Sequence, residues 1–272
     1  MKILYFRSVW GLEEPSIEEK LVKIKQGGFD GVELEVPPDL ETCRRARRCL
    51  DDLGLAVVAQ QWRTAGATPQ AHMDSLVPQY ERALALRPLY LNSHTGCDHF
   101  VLEENVAIID HAEALAKQGG VPVLHETHRG RAFFSAPAAV GLLAERPALR
   151  LTADFSHWCC VHESLLEDQA ARVATAIRHS HAIHARIGHA EGPQITDPRD
   201  PAWQPQLGAH LAWWRTIVEQ RRAEGCTLLP ICPEFGPAPY MTFLPHTRQP
   251  IADLWAINCH MRDWLKQELG QT

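Results

Sequence analysis

Val121-Pro122-Val123-Leu124-His125-Glu126-Thr127-His128-Arg129 is a short apolar run that breaks into charged and imidazole side chains. The apolar part reads as a buried parallel strand, and the polar tail as its C-terminal end. Outward from it, the same construction recurs at residues 3–6, 31–36, 56–60, 89–93, 150–155, 182–187 and 228–234. Between the runs lie stretches with helical spacing. Ser16 can cap the first while Glu19 bonds back; Ile17, Leu21 and Ile24 share a face, and Gly27-Gly28 ends it. Leu102, Val106 and Ile109 repeat the spacing, as do Leu211, Trp214 and Val218. The last helix is expected to open with Pro250 in its first turn and to carry Leu254, Ile257, Met261 and Leu265. Eight strand–helix units in 272 residues, with no linker or low-complexity tract, predict an α/β fold: a single (β/α)8 TIM barrel over residues 1–272. A doubly wound sheet would leave units over, and no glycine-rich dinucleotide or phosphate loop supports it.

Composition excludes several classes of function. A hydrophobic content of 45% with 22% charged residues is that of a globular chain, not a disordered or fibrous one. Arginine and lysine number 27 against 33 acidic residues, and a net charge of −6 disfavours nucleic acid as a partner. No apolar run approaches the ~18 residues of a membrane span. Arg7 arrives too early for a secretory signal, and eight cysteines without a Cys-x-x-Cys pair read as reduced thiols of a cytoplasmic protein.

In a TIM barrel the strand C-termini converge on one face. They carry Arg7 and Trp10 (first), Glu35 (second), Gln61 and Trp62 (third), and His94 (fourth). The fifth to eighth end in Glu126, Asp154, His184 and Glu234. Three carboxylates and an imidazole from adjacent strands suit one divalent ion, Mn²⁺, Co²⁺, Mg²⁺ or Zn²⁺. Alternation puts His184 and Arg186 on one face of their strand and His179 and His181 on the other, which argues against a local histidine cluster with His189. Cys159-Cys160 reads as inert thiols, and Arg44-Arg45-Ala46-Arg47-Arg48 as a solvated helix face beside Asp51 and Asp52. Trp10, Trp62 and Trp158 fall at the catalytic end, where aromatic faces could pack on a sugar ring or simply on loops. Loops 188–207 and 236–249 are long enough to wall or cover the barrel mouth.

Together these segments resemble the xylose isomerase-like TIM-barrel superfamily, which holds keto-sugar epimerases, isomerases and endonuclease IV. Three of them, residues 125–131, 184–189 and 233–237, look like a bacterial subgroup labelled sugar phosphate isomerase/epimerase. Similarity to the D-tagatose 3-epimerase branch implies that Glu126, Asp154, His184 and Glu234 hold one metal and that His157, three residues after Asp154, touches substrate. Thr127-His128-Arg129 replaces the usual Asn-Arg after the fifth-strand glutamate, and Arg186 follows His184 more closely than the pattern has it. Both departures touch substrate recognition.

The expected chemistry is proton abstraction beside a carbonyl of a keto-sugar or sugar phosphate, through an enediolate. Glu126 and Glu234 would form the acid/base pair, with His157, Arg186, His94, Trp62, Trp10 and Arg129 binding substrate. No lysine stands at a strand end, which excludes Schiff-base chemistry there and disfavours a lysine-assisted hydride shift. The alternatives are a metal-dependent lyase or dehydratase on oxidised sugars or glycosides, an endonuclease IV-like zinc hydrolase drawing on His94 and His189, and a non-catalytic sugar-binding or accessory subunit. The resemblance also implies a homo-oligomer.

Overall fold

In the computed structural model, which describes residues 1–64 and 66–270, eight parallel strands close in chain order into a barrel. They are β1 (Lys2–Ser8), β2 (Gly31–Glu35), β3 (Ala56–Gln61), β4 (Leu91–Ser93), β5 (Val123–Glu126), β6 (Leu151–Ala153), β7 (Ser180–His184) and β8 (Leu228–Cys232). β8 closes on β1 with Ile3 opposite Leu229 and Tyr5 opposite Ile231. Around them run α1 (Ile17–Gln26), α2 (Leu40–Leu53), α3 (Pro69–Leu84), α4 (Leu102–Gly119), α5 (Ala136–Glu145), the short α6 (Phe155–Val161), α7 (Ala170–His179), α8 (Gln204–Ala223) and α9 (Leu254–Leu269). None of the described helices is long and apolar enough to cross a membrane.

Local chemistry sets the helix starts. The Ser16 hydroxyl accepts from the Glu19 amide at 3.1 Å, as the sequence predicts. Asp39, Thr68, Ser135 and Asp253 accept amides in the same way at α2, α3, α5 and α9. The last of these corrects an expectation: α9 opens after Asp253, not at Pro250, which bridges to Phe243 instead. Asp253 supplies an acceptor for the Ala256 amide that proline lacks.

Strand alternation divides the core in two. Tyr5, Val57, Leu91, Val123, Ile183 and Ile231 face the helices. The intervening Phe6, Val58, Tyr90, Leu124, Ala182 and Cys232 form a separate cluster inside the barrel. The same parity carried upward decides which polar side chains enter the mouth.

Several strands are shorter than the sequence suggests. β6 stops at Ala153 because Asp154 turns to cap α6, its carboxylate accepting the Ser156 amide at 3.1 Å, so Phe155 is helical. β7 and β8 end at His184 and Cys232, leaving Arg186 and Glu234 on the following loops. Loop 188–207 is cut short by a turn at Pro201–Trp203 and by α8, whereas loop 236–249 runs on to Asp253. Trp158 is fully buried and donates to the Phe133 carbonyl at 2.9 Å, so it belongs to the core. Arg45 pairs with Glu18 on a solvated face, whereas Arg47, expected there too, is largely buried: it pairs with Asp51 and donates to the Leu86 carbonyl at 2.9 Å.

Gly31 lies opposite Phe6 in the β1–β2 register, and a side chain there would strike the Phe6 ring and the Ala56 carbonyl. Gly31→Val should cost about 1–3 kcal/mol by overpacking the barrel interior. A lowered urea midpoint at unchanged m-value checks it.

Candidate metal centre

One ligand atom from each of Glu126, Asp154, His184 and Glu234 falls within 4.8 Å of those of the other three, and all four residues are buried. They stand where β5 to β8 end, so the order of the strands brings together residues up to 108 positions apart (234 − 126). Glu126 is held by Asn92 Nδ2 at 2.7 Å and by His94 Nε2 at 2.9 Å, both on its Oε2. Asp154 accepts from the Ser156 amide and hydroxyl and from Arg186 Nη2. Glu234 sits at φ 54°, a left-handed conformation that costs a non-glycine residue about 1 kcal/mol or more and that concentrates at functional sites.

His184 is gripped from two sides. Its Nε2 lies 2.8 Å from Glu33 Oε2 and its Nδ1 2.7 Å from Glu234 Oε2. The second approach is not a hydrogen bond: Nδ1 and Oε2 are both left without a hydrogen-bond partner, in the interior. Two buried ligand atoms that converge without satisfying each other fit a cation shared by both. The carboxylate-rich set suits a hard or borderline divalent ion, and Glu33 is placed to fix the imidazole so that Nδ1 faces it.

Electrostatics tell the same story. Burial pushes the Asp154 carboxyl up to about 6 despite Arg186, and it raises Glu33 despite His184. Burial also works against a charged His184, but Glu234, Glu33 and Glu126 outweigh it and hold the imidazole well above its usual range. For Glu126 burial is outweighed by His94 and His184, which keep it well below the carboxylate range. Without an added cation, these carboxylates rely on two imidazoles, His94 and His184, and on the Arg186 guanidinium.

A cavity of about 540 Å³ opens above the cluster. Of the four candidate ligands only Glu126 and Glu234 line it; Asp154 and His184 lie beneath. Trp10, Trp62, His94 and Arg186 reach its wall as well. His157 is fully buried behind it and accepts from Arg186 Nη2 at 2.6 Å, its own basicity suppressed by burial. Arg129 stacks over Tyr240 at 5.3 Å rather than lining the cavity. Arg7 and Gln61, expected at the mouth, turn outward by strand parity; Gln61 bonds to Gln79 beside α3. His179 and His181 are engaged with the Leu149 carbonyl and Arg221, and His189 packs on Trp203, all away from the cluster.

The sequence reading missed Glu33, Asn92, His128, Arg131, Tyr240 and Lys20. Glu33 was legible: it lies two residues before Glu35 in β2 and therefore on the same inward face, one layer deeper. Lys20 reaches the cavity from α1, so the absence of lysine at strand ends does not empty the cavity of lysine. Tyr240 brings the second long loop to the wall, and Gln194 of the first bonds both backbone groups of Gly236. His128, its ring tilted against those of His94 and His157, forms with His94 and Glu126 a second possible ligand group.

No family model and no curated protein matches the chain. Among solved structures it is similar to 3-keto-D-glucoside 4-epimerase from E. coli, at 15% identity and TM-score 0.64, over 98% of this chain and 100% of that one. The probable 3-DHS dehydratase of petrobactin synthesis from Bacillus anthracis gives 17% identity and TM-score 0.63, over 98% and 99%. A xylose isomerase-like TIM barrel protein from Mycobacterium smegmatis, in complex with magnesium, gives 13% and 0.65, over 93% and 87%. The likeness is one of fold.

Two outcomes are expected. A divalent ion must displace the Asp154 proton, so binding should weaken as pH falls through about 6, and affinity should keep rising above that as the His184 proton is displaced too. Calorimetric Mn²⁺ titration across pH, with proton release read from buffers of different ionisation enthalpy, measures both. Glu33→Gln should weaken Mn²⁺ binding about 10–100-fold without removing a ligand, and equilibrium dialysis compares it with the wild type.

Proposed function

We propose that this chain, which has the xylose isomerase-like TIM-barrel fold, is a divalent-metal-dependent isomerase or epimerase of a keto-sugar or sugar phosphate. The observation that carries the reading is the division of the ligand set. Glu126 at the end of β5 and Glu234 just after β8 face the cavity with oxygens within 4.8 Å, while Asp154 and His184 do not line it. Two carboxylates open to one substrate can take a proton from a carbon beside a carbonyl and return one elsewhere. A bound divalent ion would supply positive charge to a developing enediolate.

The chain's own residues account for the remaining tasks. Glu126 is ionised at neutral pH and is held by Asn92 and His94, which suits the proton acceptor. Glu234, the other carboxylate on the cavity, completes the acid/base pair. Arg186, within 4.8 Å of the Tyr240 ring, and Arg131, at the rim, present cations to substrate oxygens or a phosphate. Trp10 and Tyr240 meet edge to face at 5.1 Å and give the cavity an apolar wall for a sugar ring.

The second ligand group, His94, Glu126 and His128, favours a metal-assisted hydrolase as a second reading. Metal stoichiometry by elemental analysis separates the two. One ion per chain, lost in Asp154→Asn, supports the isomerase or epimerase; two or more ions move the assignment to hydrolysis. On the proposed reading, keto-sugars incubated with the Mn²⁺-loaded protein in D₂O take up deuterium beside the carbonyl. Glu126→Gln and Glu234→Gln should each slow that exchange about 10²–10⁴-fold. Unchanged exchange in both variants overturns the mechanism.

A further inference from the structure

Arg7 is a charge inside the protein without a countercharge. β1 alternates Phe6 and Ser8 toward the barrel axis, so Arg7 points away from it and is only 1% exposed. Its Nη1 donates to the carbonyls of Ser8 and Trp10. Nε and Nη2 have no partner. Of the carboxylates that act on it, Glu234 faces His184 in the candidate metal centre and Glu14 is paired with Lys23. A guanidinium stays protonated in proteins, and a buried one without an anion is strongly unfavourable.

The two free donors share one edge of the guanidinium plane, the edge that grips an oxyanion through two parallel hydrogen bonds. Arg7 lines a second cavity of about 1010 Å³, walled by the β1–α1 loop, the segment before α9 and the first residues of α9. Gly11 and Leu12 line both cavities and so form the partition between them. The apolar wall includes Met241, Phe243, Leu254 and Trp255, and Arg248 adds a second guanidinium over the Phe243 ring at 5.7 Å. Of the acidic residues at its edge, Glu14 is paired with Lys23 and Asp253 is committed to the α9 cap, which leaves Glu13.

We propose that this second cavity binds a small amphipathic anion, toward whose carboxylate or phosphate the Arg7 guanidinium turns its closed-off Nε and Nη2, while the apolar part packs against Phe243 and Trp255. Such a ligand would pin the β1–α1 loop to the segment that carries Tyr240 to the metal centre. The inference rests on Arg7 alone and stands apart from the reaction proposed above.

Calorimetric titration of the Mn²⁺-loaded protein with sodium phosphate and, separately, sodium benzoate, each against chloride at equal ionic strength, tests it. At least one oxyanion should bind one-to-one, and Arg7→Met should weaken it about 10-fold or more, whereas an anion seated on the metal would keep its affinity. Binding of phosphate alone marks a phosphorylated ligand, and of benzoate alone a carboxylate. Should Arg7→Met not fold, Ala252→Trp fills the same cavity, leaves Arg7 in place and should give the same loss. No binding of either anion to the wild type, or binding that survives Ala252→Trp or a folded Arg7→Met, overturns the proposal.

Discussion

Everything at the mouth of this barrel answers to the burial of four carboxylates, Glu33, Glu126, Asp154 and Glu234, around one imidazole. Taking ionised groups out of water costs several kcal/mol each unless charge and hydrogen bonds replace the solvent. The surroundings show that replacement in progress. Asn92 and His94 converge on Glu126, Ser156 and Arg186 on Asp154, and His184 is drawn between Glu33 and Glu234. Glu33 Oε1 also stays without a partner, and the two unsatisfied atoms that converge, His184 Nδ1 and Glu234 Oε2, lie where a divalent ion would complete the balance.

The barrel makes this arrangement possible by sorting side chains with a period of two. Below the carboxylates, Phe6, Val58, Tyr90 and Leu124 fill the interior and keep water out from underneath. Above, the polar residues of the same inward rows meet the cavity. The rule that brings Glu33 and His184 inward also sends Arg7 outward, into the layer between sheet and helices, where the residue lines a second cavity and two of its nitrogens find no hydrogen-bond partner. One geometric constraint thus generates both an excess of negative charge on the axis and an isolated positive charge beside it.

Loops complete what the strands begin. Tyr240 comes from the segment between β8 and α9, and its ring lies 4.8 Å from the Arg186 guanidinium and edge-on to Trp10. Gln194, from the segment after β7, holds that loop by two hydrogen bonds to Gly236. Arg186 therefore has two duties, neutralising Asp154 beneath the cavity and presenting a cation beside an aromatic wall.

The sequence by itself determined the barrel, because eight apolar runs separated by amphipathic helices leave few ways to bury both faces of a parallel sheet. It also marked Glu126, Asp154, His184 and Glu234, since each closes an apolar run and the fold brings strand ends together. It hid Glu33, which sits inside its run rather than at the end, and Tyr240, which no periodicity marks. The tertiary structure alone decided which of the four face the cavity, that His157 lies behind Arg186, and that Arg7 leaves the site it was expected to join. The reason is physical: periodicity assigns a residue to a face, but depth along the barrel axis and the partner that meets a side chain there depend on strand register and loop paths, which arise only when the whole barrel closes.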